Sequence, residues 1–145
     1  DAVFVQANVR DMAAPIAARF DPLKSGPAPT FDLIVYTSAI EHMQPASQAE
    51  SLRQCALAAA PDALLYLSCP VTEPGRSGYE AQYAAHVYEP SEAELTGWLA
   101  DAGWEVESST ASAPGRRRSG PGSQGPTSPW PSGSTATCRG SSPWS

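Results

Sequence analysis

The chain has 145 residues, with nine basic against fifteen acidic side chains and a formal net charge of −6. That length allows one domain of ordinary size, and the acidic balance argues against a protein that wraps nucleic acid or lies on a membrane surface, because both need a positive footprint. No apolar run approaches the roughly 18 residues of a membrane helix, and three widely spaced cysteines (Cys55, Cys69, Cys138) form no metal-ribbon spacing and no even disulfide framework, which points to a reducing, cytoplasmic compartment.

The first predicted element is a strand over Val3 to Asn8, a β-branched and aromatic run that turns polar at its end. Residues 9 to 30 carry four prolines and read as irregular, with a short helix from Met12 to Phe20. Phe31 to Tyr36 (FDLIVY) is the strongest strand, and its near-continuous hydrophobicity suits a parallel sheet covered on both faces. Ala46 to Ala60 reads as a helix in which Leu52, Cys55, Ala56 and Ala59 form one stripe, with Pro61 as its stop. Ala63 to Ser68 (ALLYLS) is another buried strand, followed by a long connection over residues 70 to 90 with turn chemistry at Pro74-Gly75 and Gly78. Ser91 and Glu94 then spell a capping box, and Leu95, Trp98, Leu99 and Ala102 give the stripe of the helix behind it. Gly103 suits a left-handed helix stop, and Trp104 to Ser109 alternates as a strand with one wet face. Strands separated by such helices imply an α/β fold with an open parallel sheet.

Composition breaks sharply near residue 111. Residues 1 to 111 hold all fifteen acids and five bases, whereas residues 112 to 145 hold no acid and four arginines, with Gly, Pro and Ser at 21 of their 34 positions. With no Leu, Ile, Val or Phe there, too little apolar surface exists to offset the entropy of ordering the chain. The expectation is one domain over 1–111 and a disordered Gly/Pro/Ser/Arg-rich tail over 112–145. Four arginines with Trp130 and Trp144 are too sparse for a nucleic-acid arm.

In an open α/β sheet the ligand lies outside the carboxyl ends of the strands. The residues there are Asn8, Val9, Arg10 and Asp11 after the first strand, Thr37, Ser38, Glu41 and His42 after the second, and Cys69 and Pro70 after the third. Several have plain structural readings too. His42 and His86 could anchor loops, Glu41 could favour the amino end of the next helix, Cys69 could be a small hydrophobe, and Tyr79, Tyr83 and Tyr88 could be internal packing of the long connection.

The stretches FDLIVYTSAIEHM, LLYLSCP and AHVYEPSEAELTGWLADAGWEVE together resemble the second half of a class I S-adenosylmethionine-dependent methyltransferase, over residues 3 to 109. The resemblance implies a Rossmann-like sheet and S-adenosylmethionine as cofactor, held by Asn8, Val9, Tyr36 and Thr37, with Asn8 where many members place an Asp toward the adenine amino group. No GxGxG occurs, so the chain reads as a domain truncated at its amino end, opening on the family's third strand. The Glu41-His42 pair with the later His86 is similar to the metal segment of small-RNA 2′-O-methyltransferases and quinone-pathway O-methyltransferases, with Ser38 in place of the first glutamate. That likeness implies Glu41, His42 and His86 around a divalent cation such as magnesium, with His42 and His86 as catalytic groups. The expected activity is methyl transfer to a hydroxyl of a small molecule or terminal sugar, an RNA end being the one nucleic-acid partner in view and no membrane being involved. The alternative is an inactive fragment that serves as a structural or interaction module.

Overall fold

The computed structural model describes residues 4–20, 30–81, 83–111 and 133–140. In chain order these form α1 (Ala13–Phe20), β1 (Phe31–Thr37), a 3₁₀ turn (Ile40–His42), α2 (Pro45–Ala58), β2 (Ala59–Pro70), α3 (Glu92–Asp101), β3 (Trp104–Ala111) and β4 (Gly133–Gly140). The four strands make one sheet in the order β1-β2-β4-β3. β1 pairs with β2 in parallel, and β4 is antiparallel to both of its neighbours, so β1, β2 and β3 run the same way. The α/β architecture is as expected, with one antiparallel strand inserted among parallel ones.

Both long helices supply one layer over one sheet face. Leu52 and Cys55 of α2 and Leu95 and Leu99 of α3 are buried with Leu65, Leu67 and Cys69 of β2 and Trp104 of β3. Burying each such leucine stabilises the fold by about 1.5–3 kcal/mol. The Trp104 indole N–H also donates to the Leu52 carbonyl at 3.2 Å, which fastens β3 to α2. α3 starts on the expected capping box, with the Ser91 hydroxyl accepting from the Glu94 N–H and the Glu94 carboxylate accepting from the Ser91 N–H. Gly103 ends it at φ 85°, a left-handed conformation that favours glycine.

Four expectations need correction. Residues 4–8 form no strand: Phe4 is 92% exposed, and the segment is not among the four hydrogen-bonded strands of the sheet. The second is the cover over β1, where Leu33 and Val35 are 58% and 63% exposed, so this continuous apolar run is covered on one face only. Pro61, expected as a helix stop, falls inside β2 instead. It sits with Asp62 (φ 63°) in an irregularity where Phe31 pairs with Ala59 and Leu33 with Leu64, and such bulges tolerate a residue without an N–H. The fourth concerns the tail, where residues 133–140 form β4. That strand is paired along both edges, and it buries Ala136 and Cys138 under the helices. Ladder bonding on two sides satisfies its backbone, and small side chains suffice on a face that the helices already cover. Arg139 of that strand donates to Glu107 of β3 at 2.6 Å. The rest of the proposed tail, 112–132 and 141–145, lies outside the described residues, as does Val3.

All three cysteines are free and buried. Among the described residues no helix is long and apolar enough to cross a membrane.

Candidate functional site

At the carboxyl end of β1 the chain turns sharply. Ser38 adopts φ 48° and donates its N–H to the Ser68 carbonyl of β2 at 2.8 Å. A non-glycine residue in this region is uncommon and is held by its surroundings. The 3₁₀ turn follows, with Ile40 plugged into the core and Glu41 only 2% exposed beside it, while His42 points outward.

The long connection then folds back onto this turn. The Val87 and Tyr88 N–H groups both donate to the Glu41 carbonyl, at 2.8 and 3.2 Å, and the Glu89 N–H donates to the Gly78 carbonyl at 2.9 Å. Gln48 of α2 completes the join: its side-chain NH₂ donates to the carbonyls of Met43 (2.9 Å) and Tyr88 (2.8 Å). Sequence reasoning missed Gln48. Its signal was positional, since 48, 51, 52 and 55 lie at i, i+3, i+4 and i+7, a buried stripe begun by a glutamine.

These tethers bring together Glu41, His42 and His86, the three residues singled out as metal ligands. Each offers one ligand atom, and those atoms lie within 4.8 Å of one another. The two imidazoles meet edge to face with centroids 5.2 Å apart. His42 Nδ1 lies 2.9 Å from the Ala85 carbonyl oxygen, and His86 Nδ1 lies 2.6 Å from a Glu89 carboxylate oxygen. A carbonyl or carboxylate can only accept, so each Nδ1 carries a proton, and Nε2 is the ring atom left for another partner. Glu89, also 2% exposed, stands three residues after His86 in the sequence, at the end of His86-Val87-Tyr88-Glu89, and meets its ring.

Glu41 is a buried carboxylate whose Oε2 has no hydrogen-bond partner among the described residues. Burying an anion that way is costly unless a cation or donor meets it. Its charge is felt nearby: burial pushes the Cys69 thiol up to about 12, and the Glu41 and Glu89 carboxylates push it the same way. Cys69 is therefore a neutral small hydrophobe and no nucleophile. The tyrosines of the connection divide between packing and site. Tyr88 donates its hydroxyl to Glu94 at 2.6 Å and packs edge-on to Tyr79, whereas the Tyr83 ring stands 5.1 Å from that of His86.

The residues expected to hold a nucleotide cofactor are less assembled. Asn8 is exposed, and its Oδ1 accepts from the Arg10 N–H at 3.0 Å in a local turn. Val9 is half-buried and Thr37 exposed at the end of β1. Tyr36 points the other way, donating its hydroxyl to Ser51 of α2 at 3.1 Å, with burial pushing its phenol up to about 12. Among the described residues no hydrogen bond joins Asn8 or Val9 to Tyr36 or Thr37.

The sequence profile of a methyltransferase domain family matches residues 2–109. No curated protein sequence matches the chain. Among solved structures it is similar to a magnesium protoporphyrin IX methyltransferase (ChlM) from Synechocystis PCC 6803 with bound SAH, at TM-score 0.54 and 14% identity, over 78% of this chain and 46% of that one. A SAM-dependent methyltransferase from Methanosarcina mazei gives TM-score 0.57 and 13% identity, over 77% of this chain and 60% of that one. A 1,6-didemethyltoxoflavin-N1-methyltransferase from Burkholderia thailandensis, with bound 1,6-didemethyltoxoflavin and S-adenosylhomocysteine, gives TM-score 0.56 and 21% identity, over 89% of this chain and 56% of that one. The likeness is one of fold, and the chain spans 46 to 60% of the length of these three.

Proposed function

The chain belongs to the methyltransferase domain family, and on that premise we propose that it transfers a methyl group from S-adenosylmethionine to a hydroxyl oxygen of a small-molecule acceptor or terminal sugar. One observation supports the oxygen acceptor above others: two imidazoles whose Nδ1–H groups are already committed, leaving Nε2 uncommitted, stand beside a buried carboxylate at the carboxyl end of β1.

The residues present fit part of the cofactor. Thr37 offers an exposed hydroxyl at a strand end and the exposed Asn8 has, besides the lone pair bonded to the Arg10 N–H, a second Oδ1 lone pair for an amino group, while Val9 offers a half-buried apolar edge. Tyr36 contributes no side-chain contact, because its hydroxyl is spent on Ser51. When bound, the sulfonium supplies an activated methyl group, so the protein's share is alignment and proton removal.

His42 and His86 are the groups that take the acceptor proton, at Nε2. Glu89 holds His86 in the tautomer that makes this possible, and the Ala85 carbonyl does the same for His42. Tyr83 beside His86 is positioned to stack on a flat acceptor. Glu41, His42 and His86 would instead hold a divalent cation such as magnesium when one is bound; both Nε2 atoms would then be ligands rather than bases, and the cation would favour the ionised hydroxyl.

The test is transfer from methyl-labelled S-adenosylmethionine to a panel of hydroxyl, amine and thiol acceptors, with the labelled atom located by fragmentation. Label on oxygen, lost in His86→Ala, is expected; label confined to nitrogen or sulfur sinks the proposal. A second reading, an inactive interaction module, is favoured by the open face at Leu33 and Val35. A proton–nitrogen correlation spectrum separates the two. Added S-adenosylhomocysteine should shift Asn8, Thr37 and His42 in a methyltransferase and leave a mere scaffold unchanged.

A further inference from the structure

We infer that the Glu41, His42 and His86 cluster selects a first-row transition ion with affinity for nitrogen, of the zinc class, over magnesium, and that Glu89 is the positioning residue of this site. This deepens the proposed cation site and rests on it.

The cluster's donor set is two imidazole nitrogens and one carboxylate. Magnesium demands near-octahedral oxygen coordination and sheds water reluctantly, so a site with a single oxygen side chain holds it poorly. Imidazole suits zinc, cobalt and iron, and two histidines with one carboxylate leave positions open for an exogenous oxygen.

Three features point to a ligand rather than to chance proximity. Glu41 is 2% exposed, and its Oε2 has no partner among the described residues. Both Nδ1 atoms are bonded to pure acceptors, which leaves Nε2 as the ligating atom on each ring. Beyond that, the Glu89 carboxylate on His86 is the outer partner that metal-bound histidines ordinarily carry, fixing ring orientation and raising basicity. An ion about 2.1 Å from each donor needs the donors closer than they now lie. Binding should therefore draw the 83–90 segment toward the 3₁₀ turn.

The experiment titrates the full chain with zinc chloride, cobalt chloride and magnesium chloride by calorimetry, following the cobalt absorption bands in parallel. Variants are Glu41→Gln, His86→Ala and Glu89→Gln. Expected is one zinc or cobalt ion per chain, bound at least about 100-fold tighter than magnesium. Glu41→Gln and His86→Ala should abolish it, and Glu89→Gln should weaken it by about 10-fold. Glu41→Gln should also leave the metal-free chain at least as heat-stable as the parent, because it removes an unpaired buried charge; that result separates loss of a ligand from loss of folding. Magnesium bound as tightly as zinc would overturn the selectivity and leave the cation site standing. Binding that survives Glu41→Gln and His86→Ala, or binding by none of the three ions, would overturn the site as well. Unchanged affinity in Glu89→Gln would overturn the role given to Glu89. Methyl transfer to oxygen is read in a separate assay, so its failure is not confused with any of these.

Discussion

Replacing Gly78 with alanine puts a methyl group where the long connection has no room. An ideal Cβ at this position would lie 2.5 Å from the Glu89 carbonyl oxygen and 2.5 and 2.6 Å from two ring atoms of Tyr88. Neither neighbour yields easily. The carbonyl is backbone, in a residue whose N–H is bonded to Gly78 itself, and the Tyr88 ring is held by its 2.6 Å bond to Glu94. Overpacking of this kind costs about 1–3 kcal/mol, and the smaller entropy of the unfolded alanine chain offsets about 0.4–1 kcal/mol of it. A net loss of about 1–2 kcal/mol remains, which at a urea slope of about 2 kcal/mol/M lowers the unfolding midpoint by about 0.5–1 M. Urea unfolding followed by tryptophan fluorescence measures it. The same substitution at Gly97, exposed in α3 with nothing within 4 Å of its would-be Cβ, should raise stability by about 0.5–1 kcal/mol through helix propensity alone. If Gly78→Ala is as stable as the parent, or if both variants move the midpoint the same way, the crowding inferred between Gly78, Tyr88 and Glu89 is wrong.

Other outcomes follow from features elsewhere in the fold. Ser91→Ala removes the cap of α3 and should cost about 1 kcal/mol in urea unfolding; a change too small to measure would mean that the capping box adds nothing beyond packing. Burial pushes Cys55 and Cys69 up to about 12. A thiol-specific disulfide reagent at pH 8 should therefore label the native chain far more slowly than the urea-unfolded chain, and equal rates would refute this. Because those folded values lie above the unfolded thiol value of about 8.5, the stability they represent is intact below that pH and drains away as pH climbs toward 12. The urea midpoint should hold steady up to pH 8 and fall above it; a midpoint rising with pH over that range would contradict the assigned burial.

The body of the fold was legible because its signals are local. FDLIVY, the Ser91–Glu94 box and Gly103 each carry their conformation in a few adjacent residues, and each formed as expected. What escaped were properties set by neighbours distant in sequence. A strand is only a strand beside a partner, so the apolar run before Asn8 stays irregular while the Gly/Ser/Thr-rich segment Gly133–Gly140 forms β4 between two ladders. The cluster was half legible. Glu41, His42 and His86 were suggested by residue type and spacing, and the structure brings them together. Nothing local revealed that Gln48 would tie the long connection to α2, or that Glu89 would set the tautomer of His86. Tyr36 shows the converse: its place next to Thr37 made it look like a rim residue, but strand alternation turns its side chain to the opposite side.

The position of β4 also has a consequence for how the chain reaches this state. Leu67 of β2 pairs with Ala136, and Val106 of β3 with Cys138, so β4, made after β2 and β3, is the wedge on which those two earlier strands wait. Until it emerges from the ribosome, β2 and β3 each present a bare edge, the kind of edge that invites pairing with another chain. Closure over so long a span of sequence is slow compared with the local helices beside it. In the cell this polypeptide is therefore most exposed to misassembly in the interval between making residue 111 and finishing residue 140, and a chaperone that shields strand edges would act in that window.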